Sequence, residues 1–289
     1  MSHFAVLVVG DDVESQLAPY HEFECDGIHD EYVQTVSNLD HLKMCYDSYC
    51  EHNKDEKKMS FEEYVQENHS EDRIQQGETT DSSRYYVVDE KGEIVDAIYH
   101  TNPNAQWDWY EIGGRYSDRY IDKNGEHIVE GLKKDFGFDL LRKRRADEAA
   151  KRYDEIHQLL NGKTWEPWDV VRARFEKAEN PDEDSIEKAG LFYREQESVR
   201  AIKKHLCFCY NEDIDRFLMN REDYIAYFRN RAIVPYAFVK DGKWYAQGEM
   251  GWWGIDRKTC TDDEWRTQFN DMLDAQPDDT LLTVVDCHI

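Results

Sequence analysis

Two short runs, Phe4-Ala5-Val6-Leu7-Val8-Val9 near the start and Leu281-Leu282-Thr283-Val284-Val285 near the end, decide the fold of this 289-residue chain. Both are apolar without alternation, the pattern of a strand covered on both faces, and such strands sit inside a sheet. Both termini are therefore expected in one sheet. A membrane span needs ~18–20 apolar residues, so neither run predicts a crossing and no membrane partner is expected. The opening Met1-Ser2-His3 carries no basic segment and Asp11-Asp12 follows the first run at once, so it reads as a strand and not a signal peptide.

Working outward, three pairs of strand-forming runs flank turn residues. They are Tyr85–Val88 with Ile94–Tyr99, Arg119–Asp122 with His127–Val129, and Tyr236–Val239 with Trp244–Gln247. Three hairpins argue for a mainly antiparallel sheet. Between them lies a helical block: Leu140–Leu160 stopped by Asn161-Gly162, Trp168–Glu179 after Pro167, Asp184–His205, and Arg221–Asn230. Thr261 and Glu264 form a capping-box start for a last helix, whose Trp265, Phe269, Met272 and Leu273 share one face. Two further helices are predicted at Leu39–Cys50 and Ser60–His69. The fold class is α+β, with residues 1–130 and 232–289 as one body and 131–231 as a helical insertion or second lobe. Residues 25–84 form an acidic, partly helical excursion.

The chain has 36 basic and 62 acidic residues, a net charge of -26. Residues 1–100 alone carry 7 basic and 24 acidic, net -17. Such a field repels nucleic acid and anionic membranes, so direct nucleic-acid binding is not expected. Seven scattered cysteines read as reduced thiols in a cytoplasmic protein.

The signatures of P-loop, dinucleotide-binding, zinc-protease, serine-hydrolase and kinase chemistry are all absent from the sequence. Aspartates at the terminal strands are the candidates for a metal, because hard cations take oxygen ligands. Asp11, Asp12, Asp286 and His288 are the residues concerned, with turn formation as the plainer role. Cys287 and His288 are adjacent in a strand, so their side chains leave on opposite faces and form no nucleophile–base pair. Arg142 to Arg145, Lys151 and Arg152 concentrate positive charge on one helix, where acidic neighbours offer partners. Trp107, Trp109, Trp252 and Trp253 are indoles beside glycines or acids and are candidates for interface anchors, against packing in the core. No cofactor is expected.

The opening MSHFAVLVVGDDVESQLAPYHEFECDG, the central NPNAQWDWYEIGGRY and the closing PYAFVKDGKWYAQGEMGWWGID and PDDTLLTVVDCHI resemble a family of proteins encoded by bacteriophages and prophages, the phage anti-Gabija family. That resemblance implies a non-enzymatic inhibitor in the host bacterial cytoplasm. It would bind a host defence protein complex, the Gabija nuclease and NTPase, oligomerise around it and block recognition and cleavage of DNA. The alternatives are a metal-dependent enzyme using carboxylates of the terminal strands, and a phage structural protein.

Overall fold

The two apolar runs become neighbouring strands. In the computed structural model, which describes residues 2–22, 30–52, 59–67, 74–78, 84–176, 185–206, 210–250 and 256–289, β1 (His3–Val9) pairs along its whole length with the last strand, antiparallel, from His3 opposite His288 to Val9 opposite Leu282. The chain runs on from β1 through α1 (Val13–Leu17), β2 (Gln34–Ser37), α2 (Leu39–His52), α3 (Phe61–Glu67), β3 (Gln75–Gln76), β4 (Arg84–Val88), β5 (Ile94–Thr101), β6 (Trp109–Ile112) and β7 (Glu130–Leu132). Then come α4 (Phe138–Leu160), α5 (Trp168–Glu176), α6 (Ser185–Glu195), α7 (Glu197–Leu206), α8 (Asn211–Asp215) and α9 (Arg221–Arg231). The chain closes with β8 (Ala237–Lys240), β9 (Lys243–Ala246), β10 (Gly248–Met250), β11 (Asp256–Lys258), α10 (Asp262–Asp274) and β12 (Leu281–His288).

The main sheet has the order β6-β12-β1-β8-β9, with β7 also on β12. It is antiparallel except where β1 runs parallel to β8. The terminal strands are thus interior, and both sheet faces are covered. On one face Leu7, Val9, Phe238, Leu282 and Val284 pack against Trp265, Phe269 and Leu273 of α10. On the other, Phe4, Val6, Val8, Val285 and Cys287 meet Leu17 and Trp107. The capping box of α10 forms as expected, with Thr261 Oγ1 accepting from the Glu264 N–H and the Glu264 carboxylate accepting from the Thr261 N–H. Between β8 and β9 the turn shrinks to Asp241-Gly242, both with positive φ (51° and 67°), which matches the right-handed twist of a tight hairpin.

Several expectations are corrected. The pairing of Arg119–Asp122 with His127–Val129 is reduced to a single bridge, Ile121 to His127. Asp122 and Ile128 donate across it to the Glu126 and Tyr120 carbonyls, but Ile121 gives its own carbonyl to Gly137 and Val129 gives its carbonyl to Val284, so the ladder goes no further. The Tyr85–Tyr99 hairpin belongs to a second sheet, β2-β5-β4-β3, whose own core of Tyr86, Ile94 and Ala97 packs against Leu42 of α2 and Val65 of α3. The single helix expected over 184–205 breaks at Gln196. There the side-chain amide donates to the Glu166 carbonyl and its oxygen accepts from the Glu166 N–H. Residues just past 130 stay with the main sheet, since β7 pairs with β12 and Phe136 and Phe138 join the α10 core. The helices from α4 to α9 enclose a separate core around Ile156, Tyr193, Ile202, Phe217 and Tyr224. Among the described residues no helix is long and apolar enough to cross a membrane.

Candidate functional site

The antiparallel register of β1 and β12 sorts the candidate metal ligands to opposite ends of the sheet. Asp11 and Asp12 follow Val9, where Gly10 donates to the Leu281 carbonyl. Asp286 and His288 lie at the other end beside His3, roughly 20 Å away at ~3.3 Å per residue. Asp12 has an ordinary role there: its carboxylate caps α1 by accepting the Ser15 N–H at 3.0 Å, which holds its pKa below the usual range. The four do not assemble. Among the described residues no group of three or more His, Cys, Asp or Glu is placed to hold a metal ion.

At the His3 end a different constellation forms. Strand alternation puts His3, Asp286 and His288 on one face, while Cys287 points to the opposite core. His3 Nδ1 donates to Asp286 Oδ1 at 2.9 Å, and His288 Nδ1 to Asp108 Oδ1 at 2.7 Å. The two imidazole centroids are 4.9 Å apart. Trp109 stacks on His288 at 5.1 Å and meets the His3 ring edge-on at 5.3 Å. Asp286 is 1% exposed, and its second oxygen accepts the Arg115 N–H at 2.9 Å.

This packing requires glycine at 114. A Cβ there would sit 2.6 Å from the Asp286 Cβ and Oδ2, and φ is +46°. Tyr116 completes the clasp by donating its hydroxyl to the His3 carbonyl at 2.9 Å, and burial raises its phenol pKa. The central segment also ties down the N-terminal loop. Asn102 donates to the Pro19 and His21 carbonyls at 2.9 Å each, and Trp107 Nε1 donates to the Leu17 carbonyl at 3.0 Å. Residues 2–22, 102–116 and 281–289, parts of the opening, central and closing segments singled out in the sequence, therefore pack together.

The indole candidates separate. Trp107 is 4% exposed and belongs to the core, so it is no anchor on this chain's surface. Trp109 is 44% exposed on edge strand β6, next to Ile112 at 49%. Trp252 and Trp253 lie outside the described residues. Reading the sequence missed His3, Asp108, Gly114 and Arg115. His3 was within reach: antiparallel pairing of the two terminal strands places it opposite His288. The α4 cations behave as expected for the most part, with Lys143 on Asp147 at 2.6 Å, Arg145 on Glu148 at 3.1 Å and Lys151 on Glu155 at 3.9 Å.

Chemically, each imidazole is oriented by a carboxylate at Nδ1, and neither Nε2 has a hydrogen-bond partner among the described residues. Clefts of substrate size lie elsewhere, against α4, α9 and α10. The Cys287 thiol is fully buried, and desolvation raises its pKa well above the usual thiol value. In the folded chain Cys287 is therefore expected to resist iodoacetamide while the half-buried Cys45 and Cys260 react, as read by peptide mass mapping. Equal labelling of Cys287 and Cys45 would contradict its burial. No family model, no curated protein and no solved structure matches this chain.

Proposed function

We propose that the chain is a phage-encoded inhibitor of a bacterial anti-phage defence complex, acting by protein–protein binding that keeps a nuclease from its DNA. The Gabija nuclease and NTPase pair is the first target. The inhibitor works without chemistry of its own, as a homo-oligomer in the host bacterial cytoplasm. The observation that carries this reading is the placement of charge. Residues 30–101, which contain the second sheet, hold 18 acidic and 7 basic residues. Among them Val36, Met44 and Val95 are exposed. An acidic surface is complementary to a basic DNA groove, and exposed apolar side chains on it can serve as anchors.

Expressing the chain in Gabija-bearing bacteria should restore phage plaques. Replacing the exposed Asp47, Glu67 and Glu90 together by Lys should reduce that rescue while leaving the circular dichroism unchanged. Phage growth that stays blocked while the chain is expressed and folded would remove Gabija as the target.

One observation favours a second reading, an enzyme at the terminal strands. It is the pair of carboxylate-backed imidazoles whose Nε2 atoms have no hydrogen-bond partner among the described residues. Turnover of DNA, RNA or nucleotide in the presence of Mg²⁺, Mn²⁺ or Zn²⁺, lost in a folded His288→Gln variant, would establish it and displace the first.

A further inference from the structure

The helices meet the main sheet along a second cleft, of about 750 Å³, formed by α4, the turn after α8, α9 and the segments at Arg119 and Val234. That volume is in the range of small-ligand sites. Its walls carry five arginines, Arg119, Arg144, Arg145, Arg216 and Arg231, against the carboxylates of Glu148 and Asp213. The balance is the reverse of the chain's, which has 62 acidic residues for 36 basic.

Three of the five guanidinium groups have carboxylate partners: Arg145 with Glu148 at 3.1 Å, Arg216 with Asp213, and Arg231 with Asp262 at 3.7 Å. Arg119 and Arg144 have none among the described residues. Arg119 gives Nη2 to the Val234 carbonyl, and its Nε is buried without an acceptor. Two arginines without a carboxylate partner thus line one cleft, and a concave wall focuses their field. The walls are also held in place. Arg216 lies over the Tyr227 ring at 4.6 Å, Arg145 over Phe228 at 5.8 Å, and Arg231 donates to the Tyr227 hydroxyl at 2.8 Å. Guanidinium groups restrained before a ligand arrives lose less freedom on binding it.

We infer that this cleft binds a compact polyphosphate, of the class carried by a nucleoside triphosphate. Guanidinium forks suit phosphate oxygens. Their supply from four separate segments around one volume suits several linked phosphates better than one. Long nucleic acid is disfavoured because most of its length would face the surrounding negative field. The site is independent of the inhibitor reading.

The test is calorimetric titration of the full chain with sodium tripolyphosphate, ATP and a single-stranded oligonucleotide at fixed ionic strength. Arg144→Gln, Arg231→Gln and, as a control two turns further along α4 and outside the cleft lining, Lys151→Gln are compared, each checked for folding by circular dichroism. Tripolyphosphate and ATP should compete for one site. Each arginine substitution should weaken both by about ten-fold, and Lys151→Gln should change neither. Arg144 and Arg231 are both exposed, so loss of fold in one variant leaves the other to decide. No binding of tripolyphosphate or ATP, or equal binding by the folded arginine variants, would overturn the inference. Oligonucleotide binding tighter than ATP and dependent on the same arginines would overturn it in favour of nucleic acid.

Discussion

Val284→Asp should give a chain that is unfolded in water, with the far-ultraviolet spectrum of a coil and no cooperative thermal transition. Val284 is fully buried in β12, opposite Leu7 of β1, on the face that packs against α10. A carboxylate there has no cation or donor within the Trp265, Phe269 and Leu273 layer. It must either stay charged in an apolar setting or take up a proton, and an unpaired buried polar group costs several kcal/mol either way. Lost packing adds about 1–3 kcal/mol. A typical domain has only about 5–15 kcal/mol in total. The same substitution at exposed Val95 should leave the melting temperature nearly unchanged, which separates burial from strand propensity.

Asp286→Ala should lower the melting temperature by about 10 °C without abolishing the fold. The carboxylate is the acceptor for both the His3 imidazole and the Arg115 N–H, and it fills the space that Gly114 leaves. Truncation strands both donors and opens a void at the junction of three segments, worth about 2–4 kcal/mol. A chain of this size converts each kcal/mol into about 2–4 °C. Asp286→Asn keeps the volume and one acceptor and should recover part of the loss. A melting temperature unchanged in Asp286→Ala would mean that the clasp is incidental.

Sequence periodicity found the elements whose burial is uniform. FAVLVV and LLTVV predicted interior strands because an all-apolar run has no solvated face, and α10 declared itself through Thr261-x-x-Glu264 and the spacing of Trp265, Phe269 and Leu273. It failed where long-range pairing sets the outcome. Nothing local says that Ile121 gives its carbonyl to Gly137, or that Gln196 binds the backbone of Glu166 and breaks a helix. For the site, the parity of Asp286 and His288 was readable, but Asp108 reaches His288 only because β6 lies beside β12. The metal candidates failed for the same reason in reverse. Antiparallel pairing carried Asp11 and Asp12 away from Asp286, toward the 278–281 turn. Arg119, Arg144, Arg216 and Arg231 come from four segments with no shared spacing, so their cleft has no sequence signature.

The inhibitor reading assigns function to a surface, and its acidity makes a kinetic demand. Steering by charge acts on the association rate and weakens as the screening length shortens from about 14 Å at ~0.05 M salt to about 4 Å at ~0.5 M. Dissociation, set by apolar anchors, should depend on salt far less. The deciding measurement is real-time binding of the purified chain to the purified Gabija complex across that salt range. The account predicts a stable complex at low salt whose association rate falls by at least about ten-fold at high salt, with a nearly constant dissociation rate. No binding at low salt would contradict it.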